Sequence, residues 1–588
     1  MRTVEVLEAE RKIATAEVER EFASLPETRD LTPEELAPHK AVRGWRILRE
    51  TPSAKYALDV VLPGAFPYVL PQVWVNNPDP GLALRNAHVM RSGQLCLFPE
   101  GSSIAIDCPG SVAIKCLAEA LDLLEAGDIE GYKSEFASHW SRYCDDGAGE
   151  VIIVDRPDQL VGPVSAVPGE RLTAIGSERK SIEKWMLNRL PSKGELNDPR
   201  PCWASRFNEP ISPIDYPSTL KDLIALLEAR DLEGATWLKN HAISGTTPAT
   251  LILIQDAEPG PALAALEIPP LNLGSHSGLA KGWRPGTAPP HVILGRGKSL
   301  VAGHPVQKQT VQRADHGWIH TRGGDGNDLS KKSVCVLGCG SLGGYVAHLL
   351  ARSGFGRLTL VDNQALSFNN IGRHILGASD VDARKSNALA RNIRAELPHL
   401  EINSVAADWR RWCVESPDNF HAHDLIVSTM GDWASEHALN SMTRRSQQMP
   451  PVIFSWLEPY ALAGHAVLVG DAGGCLGCGL SVLGQHLSPV SGFDRKTLIQ
   501  EPGGCEYYQQ YGPASLMPVA SMIASVAINA TQSPVRKSQW SFWIGSRDLF
   551  TSTGARVTPA WQNHVEERGF GITGIHPWHK NSRCALCR

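Results

Sequence analysis

The apolar and polar positions around residue 340 follow a strand, turn, helix and strand pattern. Residues 334–337 form an apolar strand, and residues 358–361 form a second one that ends in Asp362. Between them lie the glycines of a GxGxxG spacing, Gly338, Gly340 and Gly343. Glycine lets the backbone approach a phosphate closely, and the start of the following helix attracts its negative charge. The pattern predicts a nucleotide site in which Asp362 can hold a ribose hydroxyl.

Polar residues farther along the chain narrow the choice of nucleotide. They are Asn370 and Arg373, then Lys385 on a predicted helix over 384–397, then Asp432 just after an apolar strand. One arginine, one lysine and one amide can neutralise a triphosphate, and a carboxylate at a strand end can hold the magnesium ion that bridges its oxygens. Taken singly, the cations could be solvated surface charges and Asp432 a helix cap. Together, after an intact glycine turn, they predict an ATP site, because a plain NAD oxidoreductase would leave them unexplained.

This constellation resembles the ThiF, MoeB and ubiquitin-activating family of adenylating enzymes over roughly residues 320–588. The stretch 361–370 is especially similar to the autophagy-type activating enzymes. The resemblance implies a Rossmann-like domain that adenylates a carboxylate with Mg-ATP and forms a homodimer. It also implies an arginine that reaches the partner subunit's ATP from just upstream of the first strand, for which Arg313 or Arg322 could serve.

The N-terminal part of the chain has a different pattern. Short runs within residues 43–75 predict an antiparallel meander, and helices are expected at 111–125 and 130–143. The order of meander, proline-rich element and Gly-x-x-Cys-Leu resembles the ubiquitin-conjugating fold over residues 1–148. The resemblance implies that Cys96 is the conjugating nucleophile. The alternative is a buried strand cysteine, against which the flanking glycine and proline argue.

One position departs from the conjugating family. The family has an asparagine eight residues before its cysteine, and His88 stands there in this chain. A neutral histidine could donate a hydrogen bond to an oxyanion or act as a base for the incoming amine. His88 could equally be a structural loop residue. Cys108, beside a Pro-Gly pair, is a weaker rival to Cys96 as the nucleophile.

Thirteen cysteines in 588 residues, without an export signal, suggest thiols, metal ligands or catalysis rather than disulfides. Two CxxC pairs provide the four thiolates of a tetrahedral zinc site: Cys475, Cys478, Cys584 and Cys587. The gap between the pairs is long, so a redox pair or unrelated core cysteines are alternatives, but the ThiF-like family has the same split arrangement.

Cys505 stands alone after Pro-Gly-Gly, which predicts an exposed loop. By resemblance to activating enzymes, Cys505 is the candidate that captures the acyl-adenylate as a thioester. Cys413 is the next candidate but lies in a stretch that predicts packing. Cys335 and Cys339 flank the glycine turn and are expected to be packing residues.

Composition adds mainly exclusions. The net charge of −5 and the lack of a basic stripe give no indication of nucleic-acid binding. No run of 18 apolar residues and a charged first segment lead us to expect no membrane span and a cytoplasmic protein. The middle of the chain predicts strands near 151–154, 250–254 and 291–294 and helices near 179–188 and 218–230. It is therefore expected to be folded rather than a flexible linker.

The predicted fold class is α/β multidomain. It combines an α+β ubiquitin-conjugating-like domain (1–148), a mixed connecting domain (149–315) and a Rossmann-like ThiF adenylation domain with its zinc site (316–588). The chain resembles the fused activating and conjugating enzymes of bacterial CBASS anti-phage operons. The resemblance implies ATP, Mg²⁺ and Zn²⁺ as cofactors. It also implies a protein substrate with a C-terminal carboxylate, which in that family is a cGAS-like nucleotidyltransferase, and an acceptor amine. The alternatives are a sulfur-carrier adenylyltransferase of the thiamin or molybdopterin kind and a non-catalytic nucleotide-binding scaffold.

Overall fold

The protein is described by a computed structural model of residues 3–587 with short gaps. The gaps are 53, 80, 83–85, 87, 91, 99–101, 103–104, 127–135, 145–146, 191–195, 210, 258–259, 277, 285–286, 324–326, 417, 447, 482, 493–498, 501–506, 509 and 534–535. The described chain forms two compact units. One holds residues 1–153, 157–179 and 197–312, and the other holds 154–156, 180–196 and 313–588. The division into three domains at 148 and 315 stays a prediction.

The first unit begins with a four-stranded antiparallel sheet in the order β1-β2-β3-β4. Its elements are α1 (Thr3–Ala23), β1 (Thr28–Asp30), α2 (Pro33–Leu36), β2 (Ala41–Glu50), β3 (Lys55–Pro63), β4 (Gln72–Val75) and α3 (Pro109–Ala126). Ala14, Val18 and Phe22 recur every four residues along α1 and are buried, which gives the helix one apolar stripe. The predicted meander strands and the first predicted helix after them are present.

The first unit continues into a closed seven-stranded barrel, in the order β10-β11-β5-β7-β6-β8-β9. The strands are β5 (Glu150–Ile153), β6 (Gly162–Pro168), β7 (Leu172–Gly176), β8 (Arg200–Phe207), β9 (Ala249–Gln255), β10 (Ala262–Ile268) and β11 (Gln307–Arg313). Ile252 and Ile254 of β9 belong to one apolar cluster, whereas Leu251 and Leu253 belong to another. Because successive strand residues face opposite sides, β9 is buried on both faces.

Helices precede or separate the barrel strands along the chain. They are α4 (Phe136–Ser141), α5 (Arg179–Arg189), α6 (Leu220–Arg230), α7 (Leu232–Ser244), α8 (Pro290–Arg296) and α9 (Lys298–Gly303). Of these, α5 belongs almost entirely to the second unit. The predicted helices near 179–188 and 218–230 are confirmed. The predicted strand at 291–294 is wrong, because these residues lie in α8. Pro290 stands at the start of α8, where its fixed φ favours a helix, and a four-residue apolar run does not distinguish strand from helix.

The second unit is built on an eight-stranded sheet, in the order β14-β13-β12-β15-β16-β17-β21-β23. The strands are β12 (Ser333–Leu337), β13 (Arg357–Val361), β14 (Glu401–Val405), β15 (Leu425–Ser428), β16 (Val452–Leu457), β17 (Ala463–Val469), β21 (Gln539–Ile544) and β23 (Ile572–Pro577). The first five strands in this order, from β14 through β12 to β16, run parallel, and the remaining pairs are antiparallel. The strand order reverses at β12, and in such sheets ligands bind beyond the carboxyl ends of the strands at that point.

Helices and two short ladders complete this unit. The helices are α10 (His316–Gly323), α11 (Ser341–Arg352), α12 (Phe368–Ile371), α13 (Lys385–Glu396), α14 (Trp409–Glu415), α15 (Asp418–His421), α16 (Trp433–Arg445), α17 (Pro513–Gln532), α18 (Arg547–Ser552) and α19 (Pro559–Arg568). The ladders pair β18 (Ser491–Gly492) with β22 (Arg556–Val557), and β19 (Ile499–Gln500) with β20 (Tyr507–Tyr508). Among the described helices, α17 is long and apolar enough to cross a membrane by length and composition alone, and 61% of that window is buried within the protein.

Candidate functional site

The glycine turn lies between β12 and α11, where the strand order reverses. Gly338 has a φ of +91°, and a Cβ there would lie 3.2 Å from the backbone of Met430. A Cβ on Gly343 would lie 2.0 Å from the carbonyl oxygen of Gly338, so the helix can approach the turn this closely only with glycine at position 343. Gly340 has no atom within 4 Å of such a Cβ and faces open space at the start of α11. The turn therefore leaves room for a ligand against its backbone.

Asp362 braces this turn from the end of β13. Its Oδ2 accepts a hydrogen bond from the backbone N–H of Cys339 at 2.7 Å, and its Oδ1 accepts one from Gln364 N–H at 2.7 Å. Each carboxylate oxygen can accept a further bond, so a role toward a ribose stays a prediction. Cys339 and Cys335 are fully buried, and burial raises the pKa of both thiols, which fits the expectation that they pack rather than react.

His374, which the sequence pattern did not mark, holds the turn from the other side. Its Nδ1 accepts from the backbone N–H of Leu376 at 3.0 Å, so the proton is assigned to Nε2, which donates to the carbonyl of Cys339 at 2.7 Å. Burial lowers the pKa of His374, which favours this neutral form. The only signal in the sequence was its place directly after Arg373.

A cavity of about 200 Å³ opens beside the turn and brings four predicted residues together. Its lining includes Gly340, Asn370, Arg373 and Lys385. Lys385 is 6% exposed, and its Nζ donates to the neutral amide of Gln364 at 2.8 Å. Since that recorded partner is not a carboxylate, the lysine charge remains available to an anion. The side-chain Oδ1 of Asn370 helps to cap α12, because it accepts hydrogen bonds from the backbone N–H and the hydroxyl of Ser367. The side-chain NH₂ group of Asn370 is then the donor toward a ligand.

A larger cavity of about 660 Å³ shares Gly340, Asn370 and Arg373 with the first and extends over the ends of β15 and β16. Its wall contains Glu436, another residue that the sequence pattern did not mark. This carboxyl group is 6% exposed and accepts a hydrogen bond from the hydroxyl of Ser428 at 3.1 Å. Burial raises the pKa of Glu436 to about 7. Its position four residues after Asp432 was visible in the sequence, but its burial was not.

Asp432 is the cap of α16. Its Oδ2 accepts from the backbone N–H of Ser435 at 3.0 Å, and the Ser435 hydroxyl lowers the pKa of this carboxyl group. This is the helix-cap alternative raised from the sequence. A role of Asp432 toward magnesium stays a prediction, and Gly431 beside it lines the larger cavity.

The four cysteines of the two CxxC pairs meet in one cluster. Their sulfur atoms all lie within 4.8 Å of one another. The Sγ atom of Cys475 is 4.0 Å from that of Cys478 and 3.5 Å from that of Cys584. Tetrahedral zinc with Zn–S bonds of about 2.3 Å separates its sulfur ligands by about 3.8 Å, so these thiols fit a zinc ion. The indole N–H of Trp578 donates to the Cys475 carbonyl at 2.8 Å and fixes one ligand loop.

In the first unit, Cys96 is exposed at the end of a hairpin. Its backbone N–H donates to the carbonyl of His88 at 2.9 Å, which places the two residues side by side. Gly93 turns the hairpin with a φ of +89°, and its carbonyl accepts from Val75 N–H of β4 at 2.8 Å. The buried Asn86 clamps the start, because its side chain accepts from His88 N–H and donates to the carbonyl of Leu123 in α3. The roles predicted for Cys96 and His88 stay predictions.

The remaining candidates are distributed as follows. Cys505 lies outside the described residues. Cys413 is buried in α14, and burial raises the pKa of its thiol. Cys108 is half-buried before α3. Arg313 forms an ion pair with the buried Asp315 at 2.8 Å, whereas the exposed Arg322 lies over the ring of Trp318, with 4.2 Å from its Cζ to the ring centroid.

Comparison with known proteins shows which proteins this chain is similar to. Residues 319–540 match the ThiF family. The chain is also 30% identical over 175 residues to the "ATP-dependent ubiquitin transferase-like protein Cap2" of Pseudomonas aeruginosa. That match covers 28% of this chain and 30% of the Cap2 protein, so the chain spans about a third of the length of the curated relative. The expected resemblance to ThiF-type ubiquitin-like enzymes is therefore confirmed.

Two further likenesses are shorter or weaker. The "Adenylyltransferase and sulfurtransferase MOCS3" of Xenopus laevis is 45% identical over 83 residues, covering 13% of this chain and 18% of that protein. The solved structure of the microcin C7 biosynthetic enzyme MccB of Escherichia coli, in complex with N-formylated MccA, is 15% identical. It has a TM-score of 0.30 and covers 44% of this chain and 68% of that one.

Proposed function

We propose that this chain adenylates the C-terminal carboxylate of a protein with Mg-ATP and passes the acyl group through two cysteines to an amine. The observation that carries the proposal is the cavity beside the glycine turn. It brings Asn370, Arg373 and the buried Lys385 together at the open start of α11. Two cations, an amide and backbone N–H groups around one small cavity suit a polyphosphate chain.

The first step forms an acyl-adenylate. An oxygen of the substrate carboxylate attacks the α-phosphorus, and pyrophosphate leaves with the bonding electron pair. Lys385 and Arg373 stabilise the charge on the phosphates. The neutral His374 holds the turn in place through its hydrogen bond to the carbonyl of Cys339. Magnesium, when bound, neutralises further phosphate charge, and Asp432 is the residue we propose to hold it.

The next steps need two thiols. In the proposed sequence, the thiolate of Cys505 attacks the acyl carbon and AMP leaves, and Cys96 then takes the acyl group by transthiolation. An amine finally attacks the acyl carbon of the Cys96 thioester, beside His88; the amide bond forms, the Cys96 thiolate leaves and the amine gives up a proton. The exposure of Cys96 at the end of an anchored hairpin supports this role, because a nucleophile must be accessible. Carrying both thiols on one chain raises their effective concentration toward each other.

The wider context follows from the family resemblance. We propose a ubiquitin-conjugating-like domain over 1–148, a connecting domain over 149–315, an adenylation domain over 316–588 and a homodimer. The proposed substrate is a cGAS-like nucleotidyltransferase in a CBASS-type defence operon, and this part of the proposal rests on the resemblance seen in the sequence. We also propose that zinc occupies the four-cysteine cluster and ties the C-terminal segment to the domain.

The test is a non-reducing gel of the full chain incubated with Mg-ATP and lysate of its native host. Wild type is compared with Cys505→Ala, Cys96→Ala and, as a matched control in the first unit, Cys108→Ala. We expect an ATP-dependent, thiol-sensitive adduct that persists in Cys96→Ala and Cys108→Ala and disappears in Cys505→Ala. Absence of any adduct, with a carboxylate substrate protein confirmed present, would contradict the thioester sequence.

A second candidate is a sulfur-carrier adenylyltransferase, favoured by the 45% identity to MOCS3 over 83 residues. In that case adenylation would persist without any thioester on Cys96, and the reaction would require a sulfide donor. ATP–pyrophosphate exchange dependent on the carboxylate protein supports both candidates. The Cys96→Ala variant separates them, because it should lose the final product with the amine only if the acyl group passes through Cys96.

A further inference from the structure

Tyr511 lies beside the start of α11 in the candidate site, although nothing in the sequence pattern marked it. It precedes α17 and lines the larger cavity. Its hydroxyl is 2.7 Å from the Oγ of Ser341, the first residue of α11. Its ring lies under the guanidinium of Arg373, with 5.3 Å from Cζ to the ring centroid. One side chain thus contacts two groups that face the cavity beside the glycine turn.

The geometry indicates how these contacts affect the two groups. A guanidinium that stacks on an aromatic ring uses its flat face, and the ring does not contact the N–H groups at its edge. Either hydroxyl of the Tyr511–Ser341 pair can be the donor, and when the phenol donates, the serine hydroxyl can give its own proton to a phosphate oxygen. Tyr511 therefore restricts the rotation of both groups. Fixing donors before a ligand arrives reduces the entropy lost on binding.

We propose that Tyr511 is a positioning residue of the nucleotide site, one that sets Arg373 and Ser341 for the polyphosphate chain. The proposal rests on the proposed function, because it assumes that the cavity takes ATP. It predicts a selective effect: loss of Tyr511 weakens binding of the triphosphate and leaves recognition of adenosine unchanged. A residue that served only packing would affect both ligands through the stability of the domain.

The experiment measures equilibrium binding of Mg-ATP and of adenosine to the full chain, each by competition against a fluorescent ATP analogue. The variants are Tyr511→Phe, which keeps the ring, Tyr511→Leu, which removes the ring and hydroxyl, Ser341→Ala, and the double variant Tyr511→Phe with Ser341→Ala. The matched control is Tyr345→Phe, because Tyr345 packs against the same apolar core as Tyr511. Thermal unfolding of each variant is recorded alongside.

We expect Tyr511→Phe to weaken ATP binding by about three- to tenfold, the range of one hydrogen bond. Tyr511→Leu should weaken it further, because it also removes the cation–π contact. The double variant should bind ATP no more weakly than the weaker of its two single variants, since both remove the same hydrogen bond. Adenosine binding, and ATP binding by Tyr345→Phe, should match wild type.

Unchanged or tighter ATP binding by both Tyr511 variants would overturn the proposal. Equal weakening of ATP and adenosine, or additive effects in the double variant, would assign Tyr511 to packing and overturn it as well. If the wild-type chain binds no ATP, the proposed function fails and this proposal fails with it. Binding of ATP by wild type with no selective effect at Tyr511 would refute this proposal alone.

Discussion

Replacing Glu436 by glutamine should remove a pH-dependent loss of stability from the second unit. Glu436 is 6% exposed, and burial raises its pKa from 4.5 to about 7. Because the folded-state pKa is raised, the group contributes its full stability at pH values below 4.5. That contribution is lost as the pH rises through about 7 and the buried carboxyl group ionises. Glutamine is neutral at every pH and shows no such loss.

The size of the effect follows from the two pKa values. A difference between 4.5 and about 7 corresponds to about 3 kcal/mol of unfolding free energy between the two ends of the titration. Wild type should therefore lose about 2 to 3 kcal/mol relative to Glu436→Gln between pH 5 and pH 8. The perturbation is nearly isosteric, so the packing of the cavity wall is kept and the difference reports the charge.

The assay is urea denaturation followed by tryptophan fluorescence at several pH values between 5 and 8. The control is Glu401→Gln, which removes one negative charge from an exposed position on β14. We expect the wild-type stability minus that of Glu436→Gln to fall steadily with pH, and the Glu401→Gln control accounts for the loss of one negative charge at the surface. A stability difference for Glu436→Gln that does not change with pH would refute the reasoning.

Two further predictions concern the glycine turn and the cysteine cluster. Gly343→Ala should destabilise the second unit by about 3 kcal/mol, since its Cβ would clash with the turn, whereas Gly340→Ala should leave the stability unchanged. Chemical denaturation of both variants measures this difference. Equal losses in the two variants would contradict the steric argument. Cys584→Ser should lower the zinc content of the purified protein, measured by mass spectrometry of the metal, while the buried Cys413→Ser in α14 should retain it. Zinc content that is the same in both variants would argue against the four-cysteine site.

The elements that the sequence predicted well are those with local causes. The glycine turn, the strands on either side of it and the helix that begins at Lys385 were predicted, because burial and turn geometry impose a pattern on neighbouring residues. The strand predicted at 291–294 failed for the opposite reason. Its apolar run was too short to have a period, and the start of helix α8 at Pro290 decided the conformation.

The residues of the candidate site also fall into those predicted from local features and those that depend on tertiary contacts. Asn370, Arg373 and Lys385 were predicted from their chemistry and spacing, and the structure places them around one cavity. The bracing of the turn by His374 depends on contacts made only when two loops meet. The same holds for Tyr511 and Ser341, which are 170 residues apart.

The sequence by itself determined the glycine turn, the strands and helix next to it and the types of residue available for chemistry. These depend on steric limits and hydrophobic periods that act over a few neighbouring residues. Only the tertiary structure decided that Asp432 caps a helix, that Glu436 is buried and that Cys475 meets Cys584, 109 residues away. Burial and proximity are properties of the packed strand order, in which segments distant in the chain share one edge of a sheet.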